Sequence, residues 1–571
     1  MRDETRSALK IVRRSTPVAT EGSAVWPDHW PKVLRQVHAA RGSISAASAM
    51  PRLDVMPHFS GLAMIETAVD LLESAIQAQK HIVVTADFDC DGATACAVAV
   101  RGLKMLGATR VSFAVPDRAI HGYGLSPALV DDLKALSPDL IVTVDHGIAC
   151  MDGVRAAKAA GWQVLVTDHH LPGDRLPPAD AIVNPNQPGD TFPSKALAGV
   201  GVMFYVLLAL RSRLGASSVD LSTLLDLVAI GTVADMVKLD ELNRALVLAG
   251  LSRMRSGRMH AGVAALMAVA GRHNATLTPT DIGFSIGPRI NAAGRLEDMR
   301  VGIECLLTDD PGIAANLAQL LDSINAERRQ LQSAMVESGD FLAETACLDE
   351  SNAQVLCLHD PAWHAGVIGL VASKLKDKLH RPVIAFAPSG NEDGMLRGSA
   401  RSITGFHMRD ALALVDARHT GLITRFGGHA MAAGLTLPAA NLDAFRDAMQ
   451  SVGAEWLTPA MLQAVVESDG PLSVEDMGLQ TAVSLRDGGV WGQAYPEPLF
   501  DDAFDVVSCR ALKDKHLKLT VQKDGKMFNA IQFNAPRREA VGNVRLVYQL
   551  AVDDWRGGTE VQLLVRHLEQ I

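Results

Sequence analysis

Short apolar runs, each ending in a charged turn, set the rhythm of the first third of the chain. Residues 82–86 form an uninterrupted run rich in β-branched side chains, which reads as a buried strand, and it ends in Asp87-Phe-Asp89-Cys-Asp91-Gly92. Asp139-Leu-Ile-Val-Thr-Val-Asp145-His146-Gly147 repeats the pattern, and Trp162-Gln-Val-Leu-Val-Thr-Asp168-His169-His170 repeats it again. Helical spacing lies between and before these runs. Residues 61–80 carry Leu62, Ile65, Val69, Leu72 and Ile76, residues 93–106 close on Gly107 at a C′ position, and a shorter helix falls near 153–160. Strands alternating with helices predict an α/β, doubly wound parallel sheet, whose ligands bind at the carboxyl ends of the strands. All three polar clusters fall at such ends.

The pattern then changes. Residues 202–214 and 221–237 read as helices. Residues 311–345 read as one long helix, with Leu317, Leu321, Ile324, Leu331 and Met335 beside a charged face of Glu327, Arg328 and Arg329. Its length fits a connector between two lobes; a core helix of the first lobe is the alternative. A second, smaller α/β lobe follows, with strands at 355–358 and 383–387 around a helix at 366–379. Short alternating strands at 517–521, 527–533, 544–552 and 561–568 predict a C-terminal OB-like β-barrel. The expected organisation is a loose tail over 1–25, a first domain over 26–310, the connector helix over 311–345, the second α/β domain over 346–454 and the OB-fold domain over 455–571.

Composition narrows the function. The 571 residues suffice for roughly three to four domains. The net charge of −10, from 54 basic and 64 acidic residues, argues against a general polyanion binder. A nucleic-acid site must then be a local basic groove or be bridged by metal. Residues 505–571 run against that balance, with 11 basic and 8 acidic residues, which suits single-stranded nucleic acid; domain packing is the plainer reading. Seven cysteines without regular spacing point to a reduced, cytoplasmic chain, and neither a signal peptide nor a membrane span is expected.

Candidate chemistry concentrates in the polar clusters. Asp87, Asp89 and Asp91 occupy alternate positions, so an extended backbone would put them on one face. Three like charges so close need a cation, and hard oxygen donors suit Mg²⁺ or Mn²⁺. An acidic turn capping a helix is the alternative, better suited to one Asp than to three. Cys90 has no partner that would make it a ligand and is expected to pack away from any metal. Asp226 and Asp235 stand among apolar residues, where a charge must be paired or metal-bound; for Asp226 a cap or salt bridge is the preferred reading. Residues 286–295, Ile-Gly-Pro-Arg289-Ile-Asn291-Ala-Ala-Gly-Arg295, read as a Gly-rich loop able to hold phosphates through its guanidinium groups, or as an ordinary turn. Gly427-Gly428-His429 could bring backbone N–H groups to an anion, or mark a tight helix–strand junction.

Taken in order, Asp-x-Asp-x-Asp-Gly, Val-Asp-His-Gly, Asp168-His169-His170, Gly-Thr-Val-Ala-Asp235 and Gly-Gly-His-Ala-Met-Ala-Ala-Gly resemble the motifs of the DHH phosphoesterase family. Pro-Arg-Ile-Asn-Ala-Ala-Gly-Arg, Trp363-His-Ala-Gly-Val-Ile-Gly369 and Trp491-Gly-Gln-Ala-Tyr-Pro-Glu-Pro-Leu-Phe500 narrow the resemblance to that family's single-strand-specific exonucleases, over residues 30–571. The resemblance implies 5′→3′ hydrolysis of single-stranded DNA, in recombination and repair, with two divalent cations, Mn²⁺ or Mg²⁺. It implies that Asp87 and Asp89 bind one ion, Asp91 and His169 the other, and Asp145 and Asp235 both. His170 would contact the scissile phosphate. Arg289, Asn291 and Arg295 would hold that phosphate or its neighbour. Arg401, Gly427, Gly428 and His429 would bind a terminal phosphate or nucleotide. Single-strand-binding protein and a RecQ-type helicase are the implied partners of a monomer. His146 and Tyr495 depart from the family pattern and bear on local substrate contacts. Two other outcomes stay open: a DHH enzyme of short oligonucleotides, cyclic dinucleotides or pyrophosphate, and a non-catalytic DNA-binding relative.

Overall fold

The three apolar runs become neighbouring strands of one parallel sheet. Its strands are β1 (Ile82–Ala86), β2 (Val111–Ala114), β3 (Leu140–Val144), β4 (Gln163–Thr167) and β5 (Ala181–Val183), in the order β2-β1-β3-β4-β5. Every residue of β1 and β3 is buried, as a sheet covered on both faces requires. The strand order reverses between β1 and β3, so the topological switch point lies where those two strands end. The structure, a computed structural model, describes residues 9–15, 26–118, 120–349, 354–390, 394–513, 515–535, 539–553 and 557–571.

The chain falls into two units. One comprises residues 13–294, 298–322 and 467–571; the other comprises the described residues up to 12, with 295–297 and 323–466. In the first, α1 (Cys90–Met105) and α2 (Gly199–Arg213) pack on the sheet, and α3 (Leu225–Ala234) packs on those two helices. The first eight residues of α3 are buried, Leu225 to Thr232, which fits a helix that is apolar all round. Then come α4 (Glu241–Arg255), α5 (Ala261–Val269) and α6 (Gly287–Leu296), and α7 (Pro311–Asp349), a single helix of 39 residues of which 323–349 belong to the other unit.

Helix α6 corrects the loop expected at 286–295. It is entered through a π-type turn, Ile282–Ile286. Pro288 sits in its first turn, where a missing N–H costs nothing. Gly294 is there for proximity rather than for a turn: a Cβ at this position would stand 1.9 Å from the Phe88 carbonyl oxygen, so only glycine lets α6 lie against the acidic turn.

The second unit holds β6 (Leu356–His359), β7 (Val383–Pro388), β8 (Met395–Arg401), β9 (Arg425–Gly428) and β10 (Ala432–Pro438), ordered β9-β10-β8-β7-β6. Only β6 and β7 run parallel. Gly427 and Gly428 therefore lie in a hairpin strand, not at a helix–strand junction.

The C-terminal barrel closes with five strands rather than the four expected: β11 (Phe500–Leu512), β12 (His516–Lys523), β13 (Lys526–Gln532), β14 (Gly542–Val552) and β15 (Val561–Gln570). The missed strand is masked by its charges. Asp501 is buried against Arg13 and Arg545, and Asp502 against Lys523 and Tyr548. Buried ion pairs broke the alternation that marks a strand. They also engage two of the basic residues counted toward a basic face. Within the expected tail, Lys10–Arg13 is a strand whose Lys10 N–H donates to Ala464; residues 1–8 and 16–25 lie outside those described.

Candidate active site

The acidic turn reaches its geometry by changing conformation at each carboxylate. Asp87 ends β1. Asp89 is the N-cap of α1, its Oδ1 accepting the Gly92 N–H at 3.0 Å. Asp91 is already helical, which corrects the expectation of one extended face. Its carboxylate accepts the N–H groups of Gly199 (2.6 Å) and Val200 (3.0 Å) at the start of α2, where the helix dipole favours negative charge. Gly199 abuts the second motif, since a Cβ there would fall 2.5 Å from the Asp145 side chain. Asp145 follows β3 with φ at 64°, in the left-handed region that non-glycine residues occupy only under constraint. His169 and His170 follow β4, and Asp235 follows α3.

These pieces assemble into overlapping triads. Asp87, Asp89 and Asp145 each offer a donor atom within 4.8 Å of the others; so do Asp91, His169 and Asp235, and so do Asp145, His169 and His170. His169 Nε2 lies 3.1 Å from Asp145 Oδ1 and 3.5 Å from Asp235 Oδ2. Yet Asp145 Oδ1 and His169 Nε2 are both buried without a hydrogen bond. Burial, then neighbouring carboxylates, push Asp87, Asp91 and Asp145 well above the usual carboxylate range. Burial also raises Asp235, against the pull of His169. Buried, mutually repelling carboxylates and orphaned donor atoms fit hard divalent cations.

Asp168, absent from the expected site residues, positions one of them. It accepts the Ile148 N–H at 2.9 Å and the His170 Nδ1–H at 2.8 Å. Burial would raise Asp168, but the His170 hydrogen bond and charge outweigh it and bring it to about 2. Burial would lower His170, and the same pair holds it up at about 9. Tyr123 was also missed. Its ring meets His170 edge-on at 6.2 Å and Phe88 at 5.9 Å, while the Arg118 guanidinium lies 4.0 Å over Phe88. The signal was the aromatic residue between two glycines in His121-Gly-Tyr-Gly.

The expected phosphate ligands divide. The Arg289 guanidinium donates to Asp322 (2.9 and 2.8 Å) and to the Ser285 carbonyl (2.6 Å). Asn291 Oδ1 accepts the Cys90 N–H at 2.9 Å, so this side chain fixes the acidic turn. Asn291→Ala is expected to cost about 1 kcal/mol of stability for the lost hydrogen bond and about tenfold in turnover through a loosened turn. Thermal unfolding and steady-state cleavage on one preparation check this; full turnover in a destabilised variant would limit Asn291 to folding. Arg295 reaches the Gly366 carbonyl at 3.5 Å. In the second unit, Arg401 bonds Ser399 (3.2 Å) and the Ala400 carbonyl (2.9 Å), and its strand registers with Ala432, which accepts the His429 N–H at 2.8 Å. Arg401, Gly427, Gly428 and His429 thus lie on adjoining strands and their turn.

Both departures from the family pattern are structural. His146 is fully buried, its Nε2 donating to the Thr85 carbonyl at 3.0 Å, and burial lowers it to about 4. Tyr495 is buried between Trp491 and His38, its hydroxyl 2.7 Å from His38 Nδ1 and 2.8 Å from Ser43 Oγ. Neither side chain belongs to the acidic triads. Cys90 is buried, and Asp226 pairs with His260 as expected of a salt bridge.

Comparison with known proteins places this geometry in a family. The DHH family N-terminal domain matches residues 81–232, the DHHA1 domain residues 351–455 and the RecJ OB domain residues 468–567. The single-stranded-DNA-specific exonuclease RecJ of Salmonella typhimurium is 45% identical over 575 residues, covering 98% of this chain and 99% of the relative. That of Escherichia coli is 44% identical over 560 residues, covering 95% and 96%. The crystal structure of RecJ in complex with Mn²⁺ from Thermus thermophilus aligns with a TM-score of 0.78 at 28% identity, over 96% of this chain and 80% of that one. The chain belongs to the RecJ family of single-stranded-DNA-specific exonucleases.

Proposed function

We propose that this chain is a divalent-cation-dependent exonuclease that removes nucleotides from the 5′ end of single-stranded DNA, in recombination and repair. The observation that carries the reading is the convergence of Asp87, Asp89, Asp91, Asp145, His169 and Asp235 at the switch point of the sheet. Asp87 and Asp89 would hold one cation and Asp91 and His169 a second, with Asp145 and Asp235 as further ligands, since Asp145 shares a triad with Asp87 and Asp89 and Asp235 shares one with Asp91 and His169. When bound, such a pair of Mn²⁺ or Mg²⁺ ions supplies an activated water and stabilises charge on the phosphodiester oxygens. His170, oriented by Asp168, donates a hydrogen bond to a non-bridging oxygen of the scissile phosphate. Tyr123 and Phe88 offer faces and edges for an unpaired base, which a stacked duplex does not present.

The barrel extends the grip on the strand. Phe533 is exposed and meets His516 edge-on at 5.2 Å, an aromatic pair on the barrel surface suited to stacking. Arg401 and His429 bind a phosphate of the strand from the second α/β domain. Residues 26–310 form the catalytic domain, 311–345 the connector, 346–454 the second domain and 455–571 the OB-fold domain. Single-strand-binding protein and a RecQ-type helicase, which hold and expose single strands, are the partners this activity calls for. The six free cysteines among the described residues fit a reducing cytoplasm, and no described helix is long and apolar enough to cross a membrane.

Strands labelled separately at each end, digested with Mn²⁺, with Mg²⁺ or with chelator, test the proposal. The expected result is early release of the 5′ label as mononucleotide, a blunt duplex left intact, and no cleavage in chelator. Early release of the 3′ label would overturn the polarity, equal attack on duplex the strand selectivity, and turnover in chelator the metal dependence.

A further inference from the structure

At the far end of α3 from Asp235, a second polar site opens. Nine residues separate Asp226 from Asp235, about 14 Å along a helix. There an open surface depression of about 460 Å³ is lined by Thr223, Arg253, Arg258, Met259, His260 and Ala261, with Asp309 on its wall. The Arg253 guanidinium makes no hydrogen bond or ion pair with the described residues, and its Nε is buried without a partner. Arg258 uses only its Nε, donating to Ser256 Oγ at 3.0 Å. Asp309, the acid on the wall, is paired with Arg101 at 2.9 Å, and Asp220 feels the charge of Arg253 without an ion pair to it.

His260 is held for a ligand as well. Its Nδ1 donates to the fully buried Asp226 carboxylate at 2.9 Å, and its backbone N–H donates to the same group at 2.8 Å. The pair fixes the ring, and its Nε2 makes no bond to the described residues. His260 is also the N-cap of α5, a helix of nine residues that no side chain caps. The first-turn N–H groups of a helix lack partners within it. Two open guanidinium forks, a fixed imidazole and a helix start therefore surround one depression in a chain of net charge −10.

We propose that this depression binds a phosphate group of a nucleotide or nucleic acid, at a site separate from the acidic cluster. Planar forks and helix N-terminal N–H groups match the oxygens of phosphate, and the volume admits a mononucleotide. The ligand is then either a free nucleotide, the product class of the proposed cleavage, or a backbone phosphate of a bound strand. The depression's chemistry does not depend on which polymer the acidic site cleaves, so the binding test is made without divalent cation and stands or falls apart from the exonuclease reading.

The test uses the full chain carrying Asp145→Asn, in chelator, against the same chain with Arg253→Gln and Arg258→Gln added. The probes are inorganic phosphate, dAMP and a short single-stranded oligonucleotide, read by calorimetry and, for the oligonucleotide, by fluorescence anisotropy. The double substitution is expected to weaken at least one probe by about tenfold or more, as the loss of charge-assisted hydrogen bonds implies. Loss confined to phosphate and dAMP assigns the site to a free nucleotide; loss confined to the oligonucleotide assigns it to a strand. Equal affinities for all three probes in a chain with unchanged circular dichroism would overturn the proposal. Arg253→Lys, which keeps the charge without the fork, should retain part of the affinity, and guards against a fold defect in the double variant.

Discussion

Asp145→Asn is expected to abolish strand cleavage while leaving the chain folded. Asp145 belongs to two of the donor triads, one with Asp87 and Asp89 and one with His169 and His170. Removing its charge therefore weakens both cation positions at once. A fall in kcat/KM of roughly a thousandfold or more follows, since several kcal/mol of charge stabilisation depend on those positions. Asparagine is the informative replacement. Its size matches, and it tolerates the left-handed backbone at φ 64° better than alanine does. Without metal, the substitution also removes one of the three buried carboxylates of the cluster, Asp87, Asp91 and Asp145, so the thermal midpoint in chelator should hold or rise. Lost turnover with an undiminished midpoint is the signature; near-normal turnover with Mn²⁺ would sink the shared position of Asp145.

The clustered polar residues were legible because each sits where a pattern breaks. A β-branched run that stops at Asp or His marks a strand's carboxyl end, and a parallel sheet gathers such ends at one switch point. That logic singled out Asp87, Asp89, Asp145 and His169, and the structure brings their donor atoms together in overlapping triads. Asp91 was found for the wrong reason. Its position looked like the next step of a strand, whereas the first turn of α1 and the N–H groups of α2 aim it. No period in the sequence encodes a contact across 108 residues. The setting of Arg289 was misread from the opposite cause. Its glycine-rich surroundings read as a loop, but Gly294 serves a close approach to Phe88, and helix α6 turns the guanidinium onto Asp322. Asp168 stood inside a recognised motif and was still missed as a positioning group, because its partner is the histidine two residues on. The barrel's first strand was hidden by buried Asp501 and Asp502, whose partners come from other segments of the chain.

Stripping divalent cations is expected to destabilise the chain, and more so as the pH rises. In the metal-free chain Asp87, Asp91, Asp145 and Asp235 are raised above their ordinary 3.8, by burial first and by neighbouring carboxylates in most of them. A carboxyl raised on folding contributes stability that is full below the unfolded value and lost as pH rises through the folded one. As pH rises from the unfolded value toward the raised folded ones, the metal-free chain therefore loses stability. Cations take the place of those protons, so the loaded chain escapes this loss. Two buried histidines set the opposite limit. His38 and His146 are each lowered by burial from 6.5 to about 4, so their stability is present above 6.5 and declines as pH falls toward 4. At a free concentration one hundred times Kd, each cation adds about 2.7 kcal/mol. Two cations should then move the midpoint by several degrees at pH 8, with the gap narrowing toward pH 6. Scanning calorimetry with Mn²⁺ and with chelator at both pH values measures the gap directly. A midpoint indifferent to chelator at pH 8 would mean that the acidic cluster is stable without cations, and the assignment of its carboxylates as metal ligands would fall.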